Sequence, residues 1–371
     1  MTIKKSFPEL VPDYIAAICP YVPGKPIEEV ERELGITAIK LASNENPFGP
    51  SPRAVEAAMK YLGESHRYPD AGGYYLREDL AACHGVPREN IVLGAGSTEL
   101  IQLLCRVYLG PGRLGLTSEG SFLMFELSAR AVGSQALLTP LRDYTFDLEA
   151  LADRLDDSVR TLYIANPNNP TGTLVTATAL ERFLDRVPPD VLVILDEAYC
   201  EYVDHPDYSR SLDAVRAGRY LIVLRTFSKV HGLAGLRVGY GIGHPEIIAA
   251  LDHVRSPFNV SGLAQVAARA ALRDDNHVRR SVEANHRGRA FLVEELSRLG
   301  LKVVPSHTSF LYVETGREAQ EAYQALLQEG VIIRPLGFMG MPQGLRITVG
   351  TEVENHRVVD AFSDFLRARR R

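Results

Sequence analysis

The sequence predicts an α/β protein: a large domain with a mostly parallel, seven-stranded sheet between helices, plus a smaller α+β domain built from both chain ends. Three observations predict it. Short apolar runs alternate with amphipathic stretches through the middle of the chain, the order that winds a parallel sheet. The runs VLVIL and LIVL are continuous rather than alternating, as strands covered on both faces become. After about Pro257 the texture changes to long helical stretches followed by short strands.

In chain order, the first 46 residues hold Pro20, Pro23, Gly24 and Pro26 close together and read as an arm that joins the small domain. A helix is expected from Ser51. Ser51 and Pro52 suit an N-cap and a first helical position, Val55, Ala58, Met59 and Leu62 fall at helical spacing, and Gly63 can end it. The runs 91–93, 114–117, 136–139, 162–165, 191–195, 221–224 and 238–242 supply seven strands. Helical sequence over 262–298 then leads to short strands near Lys302, Phe310, Val331 and Arg346, and to a last helix from Glu352. The expected division is an arm at 1–46, a large domain at 47–258 and a small domain at 259–371.

With 371 residues, 46% of them hydrophobic, the chain can bury two cores. A net charge of -5 with mixed signs throughout argues against a nucleic-acid surface, which needs clustered Lys and Arg. The one basic cluster, 367–371, reads as a solvated helix end. Cys19, Cys83, Cys105 and Cys200 form no CxxC pair and no signal-peptide pattern is present, so reduced thiols in a cytoplasmic protein are expected. No apolar run approaches the roughly 18 to 20 residues needed to cross a bilayer.

In open α/β sheets ligands bind beyond the carboxyl ends of strands. Four unusual segments fall there: Gly94-Ala-Gly-Ser-Thr98, Asn166-Pro-Asn-Asn-Pro-Thr-Gly172, Asp196-Glu-Ala-Tyr199, and Thr226-Phe-Ser-Lys229 with Arg237 eight residues on. Each alone has a plain structural explanation. The glycines can serve turn geometry, the Asn-Pro cluster can be punctuation, Asp196 can cap a helix, and Lys229 can be one more solvated lysine. Their combination and order point to one site.

That order resembles the fold-type I family of pyridoxal-phosphate (PLP) enzymes, and within it the histidinol-phosphate aminotransferase branch, over almost the whole chain. The resemblance rests on Leu41-Ala-Ser-Asn-Glu-Asn-Pro-Phe-Gly-Pro50, Arg67-Tyr-Pro69, NPNNPTG, DEAY, Arg225-Thr-Phe-Ser-Lys229, Gly232-Leu-Ala-Gly-Leu-Arg-Val-Gly-Tyr240 and a late LRITVG. It implies PLP as cofactor, and the residue types suit that chemistry. Asp196 would keep the pyridine nitrogen protonated, since an opposite charge favours the charged form. Lys229 would hold the aldehyde covalently and then act as acid and base. Ser97 and Thr98 open a helix suited to the phosphate, with Arg237, Thr226 and Ser228 as further donors. By resemblance Asn169 and Tyr199 bond the phenolic oxygen, Phe122 stacks on the ring, Tyr68 reaches the phosphate from the partner subunit of a homodimer, and the Asn169–Pro170 bond is cis.

The resemblance also implies substrate residues: Tyr21 and Asn44 near the chain start, Arg346 for a carboxylate or phosphate, and Arg334 for the substrate phosphate. The expected reaction converts L-histidinol phosphate and 2-oxoglutarate to imidazole acetol phosphate and L-glutamate in two stages, with ping-pong kinetics. Three positions depart from the pattern. Gly120-Ser-Phe122 lacks a proline and reads as a looser loop, Phe125 replaces a tyrosine, and Ser309 stands where asparagine is common. Phenylalanine or tyrosine transamination and threonine-phosphate decarboxylation are the alternatives within PLP chemistry. A nucleotide-binding module is the alternative outside it, without GxGxxG or GxxxxGK[ST] to support it.

Overall fold

The structure, a computed structural model, describes residues 10–20 and 23–368. All seven expected runs are strands of one sheet: β1 (Ile91–Gly94), β2 (Leu114–Ser118), β3 (Ala136–Thr139), β4 (Val159–Ala165), β5 (Leu192–Asp196), β6 (Leu221–Thr226) and β7 (Gly239–Gly243). Their order across the sheet is β1-β7-β6-β5-β4-β2-β3. Only β7 runs antiparallel to its neighbours; every other pairing is parallel. β5 is buried at every position, which is why its sequence shows no alternation.

A second sheet is antiparallel: β8 (Lys302–Val304), β9 (Phe310–Glu314), β10 (Arg334–Pro335) and β11 (Gly344–Thr348), in the order β8-β9-β11-β10. The arm contributes to this part of the molecule. Ile39 and Lys40 pair in parallel with Val331 and Ile332, and Val30, Ala38 and Ala42 pack against Leu327 and Ile332.

Helix α1 (Pro52–Tyr61) begins as expected, with the Ser51 hydroxyl accepting from the backbone N–H groups of Arg53 and Ala54. Its apolar stripe faces outward, however: Val55, Met59 and Leu62 are exposed while Ala54 is buried. Helix α2 (Ser97–Tyr108) follows β1, and α3 (Gly262–Leu272) packs alongside α1 through small side chains. Ala264, Ala267, Ala268 and Ala271 of α3 join the apolar cluster around the large sheet. We propose on this packing that the change of cores falls after α3, beyond the expected break at 258. The long helix α4 (Asp275–Arg298) and the last helix α5 (Glu352–Ala368) pack Leu292, Leu296, Val358 and Phe362 into the second core. No helix among the described residues is long and apolar enough to cross a membrane.

Candidate active site

Parallel pairing in register brings β4, β5 and β6 to an end at one edge, with Ala165 opposite Asp196 and Asp196 opposite Leu224. The segments that follow them, and the turn after β1, surround a cavity of about 280 Å³. Ser97, Thr98, Phe122, Asn169, Asp196, Tyr199, Thr226, Ser228, Lys229 and Arg237 line it from the large domain, and Asn44 and Arg346 from the other side. Pro23 and Gly24 of the arm complete its wall.

Asp196 is 5% exposed at the end of β5. Its Oδ2 accepts from the Tyr163 hydroxyl at 2.8 Å and its Oδ1 from the Ala198 backbone N–H at 3.1 Å. Burial pushes its pKa up to about 6, against the pull of those two donors and of the Lys229 ammonium. The carboxylate is thus poised to gain from a cationic partner inside the cavity. Lys229 has its Nζ 3.4 Å from the Ser43 carbonyl oxygen and 5.4 Å from the centre of the Tyr199 ring.

A phosphate-sized anion has a ready cradle at the opposite end. Helix α2 has Gly96 as its N-cap residue and no side-chain cap, so its first N–H groups stay available and its dipole favours negative charge. Arg237 lies across that start, with Nη2 donating to the Ala95 carbonyl at 3.3 Å and Nη1 to the Ser228 hydroxyl at 3.4 Å. Gly96 has φ +82, and a β-carbon there would collide with the Arg237 guanidinium. Ser228 N–H bonds the Thr226 hydroxyl at 3.1 Å, turning both hydroxyls with the loop that ends at Lys229.

Asn44, in a left-handed conformation with φ 57, donates from Nδ2 to the Tyr199 hydroxyl oxygen at 2.8 Å and is itself held by Thr348. Tyr199 accepts that bond, so its own proton remains available to the cavity. Arg346 comes from β11; Nη1 donates to Asn169 Oδ1 at 2.6 Å and Nη2 to the Ala42 carbonyl at 2.7 Å. The Asn166–Pro167 and Asn169–Pro170 bonds are both cis.

Arg334 is not brought to this cavity, and Tyr68, expected at a partner's site, lies away from it. Tyr68 is 82% exposed and stacks on Phe258 with ring centres 4.7 Å apart. Arg334 is buried with its guanidinium 4.4 Å over the Phe338 ring, one strand beyond Arg346. A third, Tyr21, lies outside the described residues.

Residues 36–362 match the family model for aminotransferase class I and II. The chain belongs to that family. A histidinol-phosphate aminotransferase of Moorella thermoacetica is 48% identical over 95% of this chain and 92% of its own, and one of Anaeromyxobacter sp. is 47% identical over 97% and 100%. Among solved structures, a histidinol-phosphate aminotransferase from Sinorhizobium meliloti in complex with pyridoxal-5'-phosphate is 28% identical with a TM-score of 0.90, covering 97% of this chain and 98% of that one. An L-threonine-O-3-phosphate decarboxylase from Porphyromonas gingivalis shares the fold at a TM-score of 0.79 and 24% identity, covering 89% and 99%. Shared fold alone therefore does not separate amino transfer from decarboxylation.

Class I and II aminotransferases work with PLP, and this aminotransferase has side chains that fit it: an amine, a buried carboxylate and an uncapped helix start beside an arginine, each at a different wall of one cavity. Three features of the site were not read from the sequence. Tyr163 bonds Asp196, and its signal is a hydroxyl inside an otherwise apolar buried run, where it must find a partner. Glu197, the residue after Asp196, forms a buried ion pair with Arg225, the residue before Thr226, at 2.8 Å. That pair ties the ends of β5 and β6 together behind the cavity. The 120–122 loop is also firmer than expected, because Asn168 Nδ2 donates to the Gly120 carbonyl at 3.0 Å and Met341 packs against Gly120.

Proposed function

We propose that this chain is a PLP-dependent histidinol-phosphate aminotransferase, moving the amino group of L-histidinol phosphate to 2-oxoglutarate to give imidazole acetol phosphate and L-glutamate. The observation that carries the reading is the meeting of Lys229, Asp196 and Arg237 from one domain with Arg346 from the other around a single cavity. The substrate is supported by relatives of that name at 43% to 48% identity over nearly the full chain.

When bound, PLP supplies an electron sink for the bond broken at the substrate's α-carbon. Asp196 would bond its protonated ring nitrogen, and the start of α2 with Arg237, Ser228 and Thr226 would grip its phosphate. Phe122 would lie against the ring face, and Asn169 and Tyr199 would donate to its phenolic oxygen. Lys229 Nζ would anchor the cofactor and, once displaced by the incoming amine, carry a proton away from the α-carbon and return one during the second half of the exchange. Asn44 positions the Tyr199 hydroxyl for its part.

Arg346 and Arg334 stand directly opposite each other on β11 and β10, so their stems leave the same face of the small sheet. Two guanidinium groups on one face suit a phosphate dianion, with Arg346 nearer the reacting atoms and Arg334 farther out. Tyr21 of the arm would close over the substrate. We take the working unit to be a cytoplasmic homodimer in which Tyr68 serves the partner's phosphate site. Its exposure, and the outward apolar stripe of α1, support a second copy covering this side.

The test is a single-turnover experiment on the purified PLP form, mixed with L-histidinol phosphate and separately with L-phenylalanine, following loss of the cofactor's visible absorbance. Rapid conversion by histidinol phosphate alone is expected. Preference for phenylalanine would reassign the substrate, and carbon dioxide release without a keto-acid requirement would reassign the reaction.

A further inference from the structure

We infer that Tyr163 is a positioning residue for the reaction: from the middle of β4 its hydroxyl aims and holds the Asp196 carboxylate toward the cavity. This rests on the assignment of Asp196 to the cofactor's ring nitrogen, and goes beyond it by naming the group that sets Asp196.

Tyr163 has no exposed surface, and its oxygen lies 2.8 Å from Asp196 Oδ2. A phenol buried this deeply stays protonated, because burial and the neighbouring carboxylate both push its pKa well above the ordinary value. It is therefore a permanent donor, and Asp196 is its acceptor. The Tyr163 backbone is fixed as well, since its carbonyl accepts from the Thr117 hydroxyl at 2.9 Å. Its ring is held from the side by Phe125, stacked at 5.0 Å between centres and 11° between planes.

Phe125 stands where the resembling family carries a tyrosine, and its ring tip lies against β2. The Phe125 para carbon is packed on β2, 2.7 Å from where a β-carbon on Gly115 would stand. The hydroxyl that reaches Asp196 comes from the ring stacked on Phe125 instead.

With Oδ2 bonded to Tyr163 and Oδ1 to the Ala198 N–H, the carboxylate plane is fixed by two donors, one within β4 and one in the turn after β5. The charged groups that act on Asp196 are Lys229, which favours its ionised form, and Glu197, which opposes it from behind. Of the favourable influences, the Tyr163 bond is the largest. Loss of that donor leaves a buried carboxylate with one bond fewer. It becomes harder to ionise and freer to turn away from the cavity.

The test uses the full-length protein with Y163F, D196N and the double variant. In Y163F the PLP dissociation constant, measured by absorbance titration without substrate, is expected to rise roughly tenfold or more. The acid limb of the half-reaction should move to higher pH, while the KM for the amino donor stays close to wild type. In the D196N background Y163F should add almost nothing, since the hydroxyl acts through that carboxylate. Unchanged PLP affinity and an unchanged acid limb in Y163F overturn the inference. Equal effects of Y163F with and without Asp196 also overturn it, by making Tyr163 a packing residue only. Thermal unfolding of each PLP-free variant identifies any loss of fold, and D196N with its double partner then still decides the coupling. A wild-type enzyme that binds PLP but ignores histidinol phosphate would sink the substrate assignment and leave this result standing.

Discussion

Replacing Asp196 with asparagine should make the PLP-free protein more stable while disabling the site. Burial raises the Asp196 pKa from 3.8 to about 6, so the folded state resists ionising a group that the unfolded chain ionises freely. A rise of that size costs about 3 kcal/mol at pH 8, where the group is charged in both states. The sign follows from proton binding. Between pH 4 and 6 the folded state holds the extra proton, so this group's contribution to stability is fully present below pH 4 and is lost as pH rises through about 6. At pH 5 about half of the penalty remains. Asp204, Glu314 and Asp274 have lowered pKa values and pull the pH profile the other way. The difference between wild type and D196N isolates the one group. Thermal unfolding of both PLP-free proteins at pH 8 and pH 5 should show D196N melting a few degrees higher at pH 8, with the gap roughly halved at pH 5. A D196N protein that melts lower than wild type at pH 8, or a gap that does not shrink in acid, would refute the account of Asp196 as a strained buried charge.

Three further outcomes are expected. Gly96→Ala combines a left-handed backbone position with a β-carbon driven into Arg237, so the PLP dissociation constant should rise at least roughly tenfold, as read by absorbance titration. Arg346→Lys keeps the charge but cannot hold both Asn169 and the Ala42 carbonyl, so kcat/KM for the amino donor should fall by roughly 10- to 100-fold with PLP affinity little changed. Mixing two inactive proteins, Tyr68→Ala and Lys229→Ala, through partial unfolding and reassembly should restore roughly a quarter of wild-type activity if Tyr68 serves the partner's site. No recovery would confine each Tyr68 to its own chain.

The large sheet was legible because its strands are buried on both faces, and continuous apolar runs such as 191–195 and 221–224 have no other ready explanation. Helix α1 was legible from its cap at Ser51, yet the face it buries was not. Val55, Met59 and Leu62 have helical spacing, which marks a helix with an apolar side but says nothing of what covers that side. The chain itself offers α1 the alanine-rich face of α3, and small residues meet there while the larger ones point out. The same alanines bear on where the boundary between the cores falls. Ala264, Ala267 and Ala268 read as generic helix, and only packing shows which core they join.

The site divides in the same way, between what strand order imposes and what side-chain reach decides. Asn169, Asp196, Lys229 and Arg237 follow strands that end at one edge, so the fold alone brings them together once the sheet is known. Arg334 and Arg346 differ in the opposite sense. Each is an arginine on a short strand of the small sheet, and their motifs look equivalent. Pairing puts β11 inside the sheet and β10 at its edge, so Arg346 reaches Asn169 while Arg334 stops over Phe338. Glu197 was hidden for a third reason: in a strand, neighbours point to opposite faces, so the residue beside Asp196 must face away from the cavity. Its pairing with Arg225, which sits beside Thr226 by the same rule, means that the two cavity-facing residues are braced from behind by the two that are not. The motifs DEAY and RTFSK therefore each carry residues of two kinds in alternation, one lining the cavity and one holding the strand ends in place.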